Sequence, residues 1–302
     1  MALLKLLFKN KLIIIITLII IILVVLFYKE VPTLIEPNYI ICFPKGGFIN
    51  MIHRIIACHR YAKNYNRVLI IDTRKNWFAD SLNEYMFFHS NNVYVGDNDF
   101  LYNSLQPLAM YPENLPLKTL GEDALRKCNT SLNRDYQERV LLYSNFGGGS
   151  SAKEFFSLCS LTPMVFNAYK SARERLPPSY VAVHIRSRSD VAAFIKKHAD
   201  LLNGRPVFLA SDNKDTIELF KKKFNIYSFS DIHNNEEHDD LVRNKEEIRK
   251  YNIDTIVDLL LLASGSELYY SCAESAYTQA AIELHQDTVL TKRLTTQKID
   301  IT

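Results

Sequence analysis

Tyr39 to Phe43 is a short apolar run that stops at a turn, Pro44-Lys45-Gly46-Gly47. From Asn50 to Asn64, Ile52, Ile55, Ile56, His59 and Ala62 recur at spacings of three and four, and Arg67 to Ile71 is a second apolar run closed by Asp72. An unbroken apolar run of this length suits a strand covered on both faces, and the wider spacing suits an amphipathic helix. Strand, glycine turn, helix and strand make one βαβ unit, which commits the chain to an α/β fold.

The same logic continues along the chain. The Asn-rich stretch 91–98 and the Pro-spaced stretch 107–116 read as loops, and Arg139–Tyr143 reads as a strand running into Gly147-Gly148-Gly149-Ser150-Ser151. A helical stretch from Ala152 includes Phe155, Phe156 and Leu158, and Pro163 restarts it toward Tyr169 and Leu176. Pro177-Pro178 is the strongest punctuation in the body. Beyond it, Tyr180–Ile185, Pro206–Ala210, Ile226–Phe229 and Glu267–Tyr270 read as strands, and Thr216–Phe224, Asn252–Ala263 and Ser275–Leu284 as helices. Two α/β domains are expected, over 38–177 and 178–302, with a ligand cleft between them at the polar strand ends.

The first residues are of another kind. Leu12 to Phe27 reads LIIIITLIIIILVVLF, with Thr17 its one polar residue. As a helix it would span ~24 Å, slightly short of a ~30 Å hydrocarbon core, and Tyr28 and snorkelling Lys side chains extend it. Lys5, Lys9 and Lys11 precede the run, whereas Lys29 is balanced by Glu30 after it, so the positive-inside bias puts the N-terminus in the cytosol. No small-residue cleavage site follows, so a retained anchor is expected rather than a removed signal peptide. The expected order is a cytosolic N-terminus (1–11), a transmembrane signal-anchor (12–28), a short stem (29–37) and a body beyond the membrane. Asn129-Thr130-Ser131 is an N-glycosylation sequon that fits a lumenal body. The chain then reads as a single-pass type II protein of the Golgi or endoplasmic reticulum, or alternatively of a bacterial inner membrane.

Composition excludes some classes of function. The 36 Lys and Arg against 33 Asp and Glu leave a net charge of +3, so no nucleic-acid partner is expected. Five Cys without a CxxC pair argue against a disulfide-dense scaffold and a structural zinc site. They are core residues or include a disulfide. His233, His238, Asp239 and Asp240 lie in the polar stretch NNEEHDD or beside it, and this reads as a solvated acidic loop, with no metal expected.

Four stretches carry candidate chemistry, each with a bland alternative. Gly46 and Gly47 sit between a strand and a helix, where the backbone can approach a ligand and a helix N-terminus favours anionic oxygens; a plain tight turn, with Asn50 capping the helix, is the alternative. His184-Ile185-Arg186-Ser187-Arg188-Ser189-Asp190 closes a strand. A guanidinium there can grip a diphosphate with two parallel donors and stabilise a departing nucleotide; a surface Arg–Asp pair and a core-edge His would look the same. Asp212 stands at another strand end and can accept from a base or ribose donor. In Ser271-Cys272-Ala273-Glu274-Ser275, Ser275 offers a hydroxyl at a helix start or simply caps it, and Glu274 is an acid or base candidate or a carboxylate favoured by the helix dipole. Asp72 and Asp80 are further base candidates. Trp77 reads as core or cleft wall.

Taken in order, these stretches resemble the fucosyltransferase superfamily of nodulation fucosyltransferases, alpha-1,6-fucosyltransferases and protein O-fucosyltransferases. VAVHIRSRSD resembles its His-x-Arg signature, VFLASDNKDTIELFKKKF the strand, Asp and helix that follow, and IVDLLLLASGSELYYSCAESAYTQAAIEL the C-terminal motif. KGGFINMIHRIIACHRYAKNYNRVLIID resembles the front glycine loop, helix and strand. The resemblance implies a GT-B architecture, with two Rossmann-like domains facing a cleft, the donor held by the second. It implies GDP-fucose as donor substrate, inversion at the anomeric carbon, no required metal or other cofactor, and a glycan or protein hydroxyl as acceptor. By position it makes Arg186 the diphosphate ligand, His184 a support of the donor pocket, Asp212 a nucleoside contact and Ser275 a neighbour of the phosphates or ribose. Gly46, Gly47 and His53 fall on the first-domain side. The common form is His-x-Arg-Arg-x-Asp; here Ser187 replaces the second arginine, Asp190 comes one residue later, and Arg188 is a candidate for the missing charge. Where paired serines are common, this chain has Glu274-Ser275. The residues leave open a different nucleotide-sugar donor, a non-catalytic glycan-binding relative, and a sulfotransferase, whose phosphate-loop opening FPKGG faintly resembles.

Overall fold

The computed structural model describes residues 37–74, 78–96, 99–187, 189–230 and 244–296. The anchor over 12–28, the stem up to residue 36, Trp77, Arg188 and the NNEEHDD stretch with His233 lie outside the described residues. Among the described residues no helix is long and apolar enough to cross a membrane.

Residues Asn38–Thr302 form one compact unit. Its strands are β1 (Asn38–Cys42), β2 (Arg67–Ile71), β3 (Met86–Phe88), β4 (Val93–Val95), β5 (Met110–Tyr111), β6 (Val140–Tyr143), β7 (Cys159–Leu161), β8 (Val181–Ile185), β9 (Val207–Ser211), β10 (Ile226–Tyr227) and β11 (Glu267–Tyr270). Its described helices are α1 (Phe48–Asn64), α2 (Asp99–Leu105), α3 (Glu122–Lys127), α4 (Ala152–Leu158), α5 (Pro163–Glu174), α6 (Val191–Leu202), α7 (Lys214–Lys221), α8 (Lys245–Ser264), α9 (Ala276–Gln286) and α10 (Thr288–Thr295). The first sheet has the order β4-β2-β1-β6-β5 and the second β10-β9-β8-β11, and every pairing in both is parallel. Parallel strands need covered faces, and the packing follows strand parity. Ile40 and Cys42 of β1 enter one core with Ala182 of β8, while Ile41 and Phe43 enter a second and Val181, Val183 and Ile185 a third.

The first of these cores is shared by both sheets. Ile52, Ile55 and Ile56 of α1, Phe155 and Phe156 of α4, Leu259 to Leu262 of α8 and Ala280, Ala281 and Leu284 of α9 all belong to it. Each fully buried Ile or Leu stabilises the fold by roughly 1.5–3 kcal/mol, so this core ties the two sheets into one unit. Their parity also fixes a site residue. His184 lies two positions beyond Ala182, so its ring points to the shared core rather than away from it.

Several sequence expectations are corrected at their edges. The presumed loops 91–98 and 107–116 contain β4 and β5, edge strands of three and two residues that are too short to show a period. Helix α8 starts at Lys245, not Asn252, because Asn244 caps it by accepting from the Glu246 N–H, and its exposed charged first turns hide the periodicity. The cap of α1 is Gly47, not Asn50, which sits inside the first turn. Asp190 is the N-cap of α6 and accepts from the Ala193 N–H at 2.9 Å. All five Cys are free, and four of them are buried.

Candidate active site

The two inner strands of the second sheet bring the strongest candidates together. In their register Ile185 pairs with Ser211, so the next residues, Arg186 and Asp212, leave the sheet side by side. One Arg186 guanidinium nitrogen lies 2.7 Å from Asp212 Oδ2. The Ser187 N–H donates to Asp212 Oδ1 at 2.6 Å and the Ser187 hydroxyl to Oδ2 at 3.2 Å. On the other side β11 pairs Tyr270 with His184, which places Ser271 at the same edge. The Ser271 hydroxyl accepts from the Arg186 N–H at 3.0 Å and lies 2.7 Å from the Ser189 hydroxyl. The turn after β8 is thus pinned from both neighbouring strands, yet the Arg186 side chain is 48% exposed. An aimed but accessible guanidinium is what an anionic ligand needs.

Below this turn His184 is buried, its Nδ1 2.8 Å from the Thr278 hydroxyl and its ring 5.2 Å from that of Tyr277. Burial pushes the imidazole down to about 4, so it is neutral at physiological pH. Tyr277 donates to the Thr255 carbonyl at 2.7 Å. Ser275 is the N-cap of α9 but makes no side-chain capping bond, so its hydroxyl adds to the free N–H groups of that helix start. Glu274 is exposed beside it.

Sequence reasoning missed Asp258 of α8. It accepts from the Ser230 hydroxyl through Oδ2 at 2.6 Å, while its buried Oδ1 has no hydrogen-bond partner. Burial raises its carboxyl to about 7. It lies within electrostatic reach of Tyr277, and so adjoins the His184 group. The available signal was a lone carboxylate in the run Ile256-Val257-Asp258-Leu259-Leu260, which reads as a core helix.

The first-sheet candidates form a second group. Gly46 has φ of +93°, a conformation that L side chains rarely adopt. His53 Nδ1 is 3.0 Å from the Ser151 hydroxyl, and burial and then Arg54 lower its basicity. Gly147 leaves room for Arg54, whose Nε a Cβ there would run into. No hydrogen bond or ion pair among the described residues joins Gly46, Gly47 or His53 to the Arg186 cluster. The two first-sheet acids are engaged elsewhere. Asp72 accepts from Arg74 and from the Tyr102 hydroxyl at 2.7 Å. Asp80 accepts from the Tyr85 hydroxyl at 3.0 Å and from Arg249 at 3.3 Å. Both are buried, which removes them as accessible bases.

A recess of about 820 Å³ lies elsewhere, lined by Lys170, Arg173, Gly265, His285 and Lys292 among others. Gly265 precedes β11, so this recess is at the opposite strand ends from Arg186. The chemistry favours the carboxyl ends, where a guanidinium and an open helix start coincide.

No family model matches the sequence, and no curated protein matches it. Solved structures do match. NodZ alpha-1,6-fucosyltransferase soaked with GDP-fucose superposes with a TM-score of 0.61 at 16% identity, over 82% of this chain and 93% of that one. Fucosyltransferase NodZ from Bradyrhizobium gives 0.60 at 16% identity, over 82% and 92%. POFUT1 in complex with GDP-fucose gives 0.50 at 12% identity, over 88% and 97%. The chain has the mixed α/β fold of the GT-B glycosyltransferases. Within that class its fold is that of the fucosyltransferase-like proteins, in agreement with the resemblance of its motifs.

Proposed function

We propose that the chain is an inverting glycosyltransferase that moves fucose from GDP-fucose to a hydroxyl of a glycan or protein. The observation that carries this reading is the Arg186–Asp212 pair at the carboxyl edge of a parallel sheet, beside the uncapped start of α9. Arg186 binds the diphosphate and stabilises it as the sugar's C1–O bond breaks and the electron pair passes to the leaving phosphate oxygen. The N–H groups and Ser275 hydroxyl at the start of α9 take further anionic oxygens. The acceptor oxygen attacks C1 from the opposite face, and Glu274 takes its proton. Asp258, when ionised, offers its unpartnered Oδ1 to an N–H donor of guanine, and His184 braces the pocket as a neutral imidazole. Asp212 aims Arg186 and stands beside the nucleoside. Since Arg186 and the helix start supply positive potential, no metal is required. Residues 178–302 form the donor side; residues 38–177, with Gly46, Gly47 and His53, form the acceptor side. The segment 12–28 anchors the chain as a type II membrane protein.

The test is a donor screen of the full chain, with glycan and protein acceptors and a chelator present, read as nucleotide release. Release from GDP-fucose, exceeding that from GDP-mannose or any UDP-sugar, is expected. Turnover confined to a UDP-sugar would replace the donor assignment, and no turnover with any donor would favour a glycan-binding role.

A further inference from the structure

The groups assigned to the donor stand along the carboxyl edge of the second sheet in the order of its strands, β10-β9-β8-β11. Ser230, bonded to Asp258 at 2.6 Å, follows β10; Asp212 follows β9; Arg186 follows β8 and lies 2.7 Å from Asp212. Guanine, nucleoside and diphosphate therefore run across the sheet from β10 to β8. The next strand is β11, one step of about 4.8 Å further, and a nucleotide sugar continuing in that direction brings its sugar to the end of β11. Glu274, which takes the acceptor's proton, stands in the turn after that strand.

Tyr270 closes β11. It pairs with His184 in parallel register, so the two side chains leave the same face of the sheet, where His184 meets Thr278 and Tyr277 of α9. The next residue, Ser271, donates its N–H to the His184 carbonyl at 3.0 Å, and its hydroxyl accepts from the Arg186 N–H at 3.0 Å, which fixes Tyr270 beside the diphosphate turn. Leu268 packs against the shared core and Tyr269 against the core of Val181 and Val183. Tyr270 is 39% exposed instead, and among the described residues its hydroxyl has no hydrogen-bond partner. An exposed aromatic ring at the rim of a polar site offers an apolar surface to a ligand, and the one wholly apolar group of fucose is its C6 methyl. We propose that Tyr270 is a specificity-determining residue for the donor, its ring packing on the C6 methyl of fucose. A sugar with a hydroxyl at that carbon would lose its water against the ring face without a partner. The inference rests on the GDP-fucose reading.

The test titrates full-length wild type, Tyr270→Ala and Tyr270→Phe with GDP, GDP-L-fucose and GDP-L-galactose, whose sugar is fucose with a hydroxyl on C6. The wild type should bind GDP-L-fucose the tighter of the two sugar nucleotides. Tyr270→Ala should bind it about fivefold more weakly than the wild type, as the lost contact of about one methyl allows, and should lose most of the preference, with GDP affinity unchanged. Tyr270→Phe, which keeps the ring, should retain affinity and preference. A wild type without the preference, or a preference unchanged in Tyr270→Ala, would overturn the inference. An equal loss for GDP would also overturn it, by placing Tyr270 on the nucleotide or in the fold, and an equal loss in Tyr270→Phe would do so by assigning the effect to the hydroxyl. Absence of GDP-L-fucose binding by the wild type would instead remove the reading beneath it, and the inference with it.

Discussion

Arg186 shows how magnitudes separate function from stability. An ion pair as open as Arg186–Asp212 contributes about 0–1 kcal/mol to folding, whereas a charge-assisted contact made to a leaving group is worth ~3 kcal/mol. Arg186→Ala should therefore lower the transfer rate at saturating donor about 100-fold while its unfolding midpoint stays near that of the wild type. Arg186→Lys should remain impaired, since an ammonium cannot reproduce a two-pronged contact. A near-normal rate for the alanine variant would assign the phosphate elsewhere. His184 gives a pH signature. Its folded value of about 4 lies below the ordinary 6.5, so the unfolded chain takes up a proton first. Its contribution to stability is complete above pH 6.5 and is lost as pH falls toward 4. His184→Asn, whose amide can keep the Thr278 bond, should flatten that part of the stability–pH curve, as chemical denaturation at several pH values would show.

At the scale of elements, the strand–turn–helix units were legible because each buried strand is an unbroken apolar run and each glycine turn interrupts it. The Arg186–Asp190 turn was legible for the same reason: polar residues that directly follow such a strand must lie at its edge. Partnerships across the chain were not. Asp80 meets Arg249 over a separation of 169 residues, and no local spacing announces that. Asp258 was hidden because one acid in an apolar helix alters the pattern too little. Glycines divide in the same way between packing and ligand access. A Cβ at Gly265 would lie 2.6 Å from Ala182 Cβ and 3.1 Å from its backbone nitrogen, with little room to yield. Gly265→Ala should cost ~1–3 kcal/mol by overpacking, seen as a lower denaturation midpoint. At Gly47 a Cβ meets nothing within 4 Å, so Gly47→Ala should cost no more than about 1 kcal/mol as a changed helix cap. Any larger loss of turnover in Gly47→Ala would then report a ligand approaching the turn.

Over the whole molecule, the two sheets share a core and a polar seam. Asn252, almost fully buried on α8, donates to the Phe78 carbonyl at 2.8 Å and the Tyr85 hydroxyl at 3.2 Å. Arg249 binds Asp80 and Glu84 beside it. Unfolding of the body should accordingly be one transition. Asn252→Ala, which strands buried acceptors, should lower that transition by ~1–3 kcal/mol without splitting it, and two calorimetric peaks would contradict the shared core. That seam also sets α8 in place, and α8 carries Asp258 to the site. The most direct test of the central claim, a guanine-nucleotide donor held at the carboxyl edge of the second sheet, is titration of the full chain with GDP and UDP in the presence of a chelator. The account predicts saturable GDP binding at least about tenfold tighter than UDP, as one satisfied carboxylate–base contact allows, with that preference lost in Asp258→Asn. Equal or tighter binding of UDP, or a GDP preference untouched by Asp258→Asn, would contradict it.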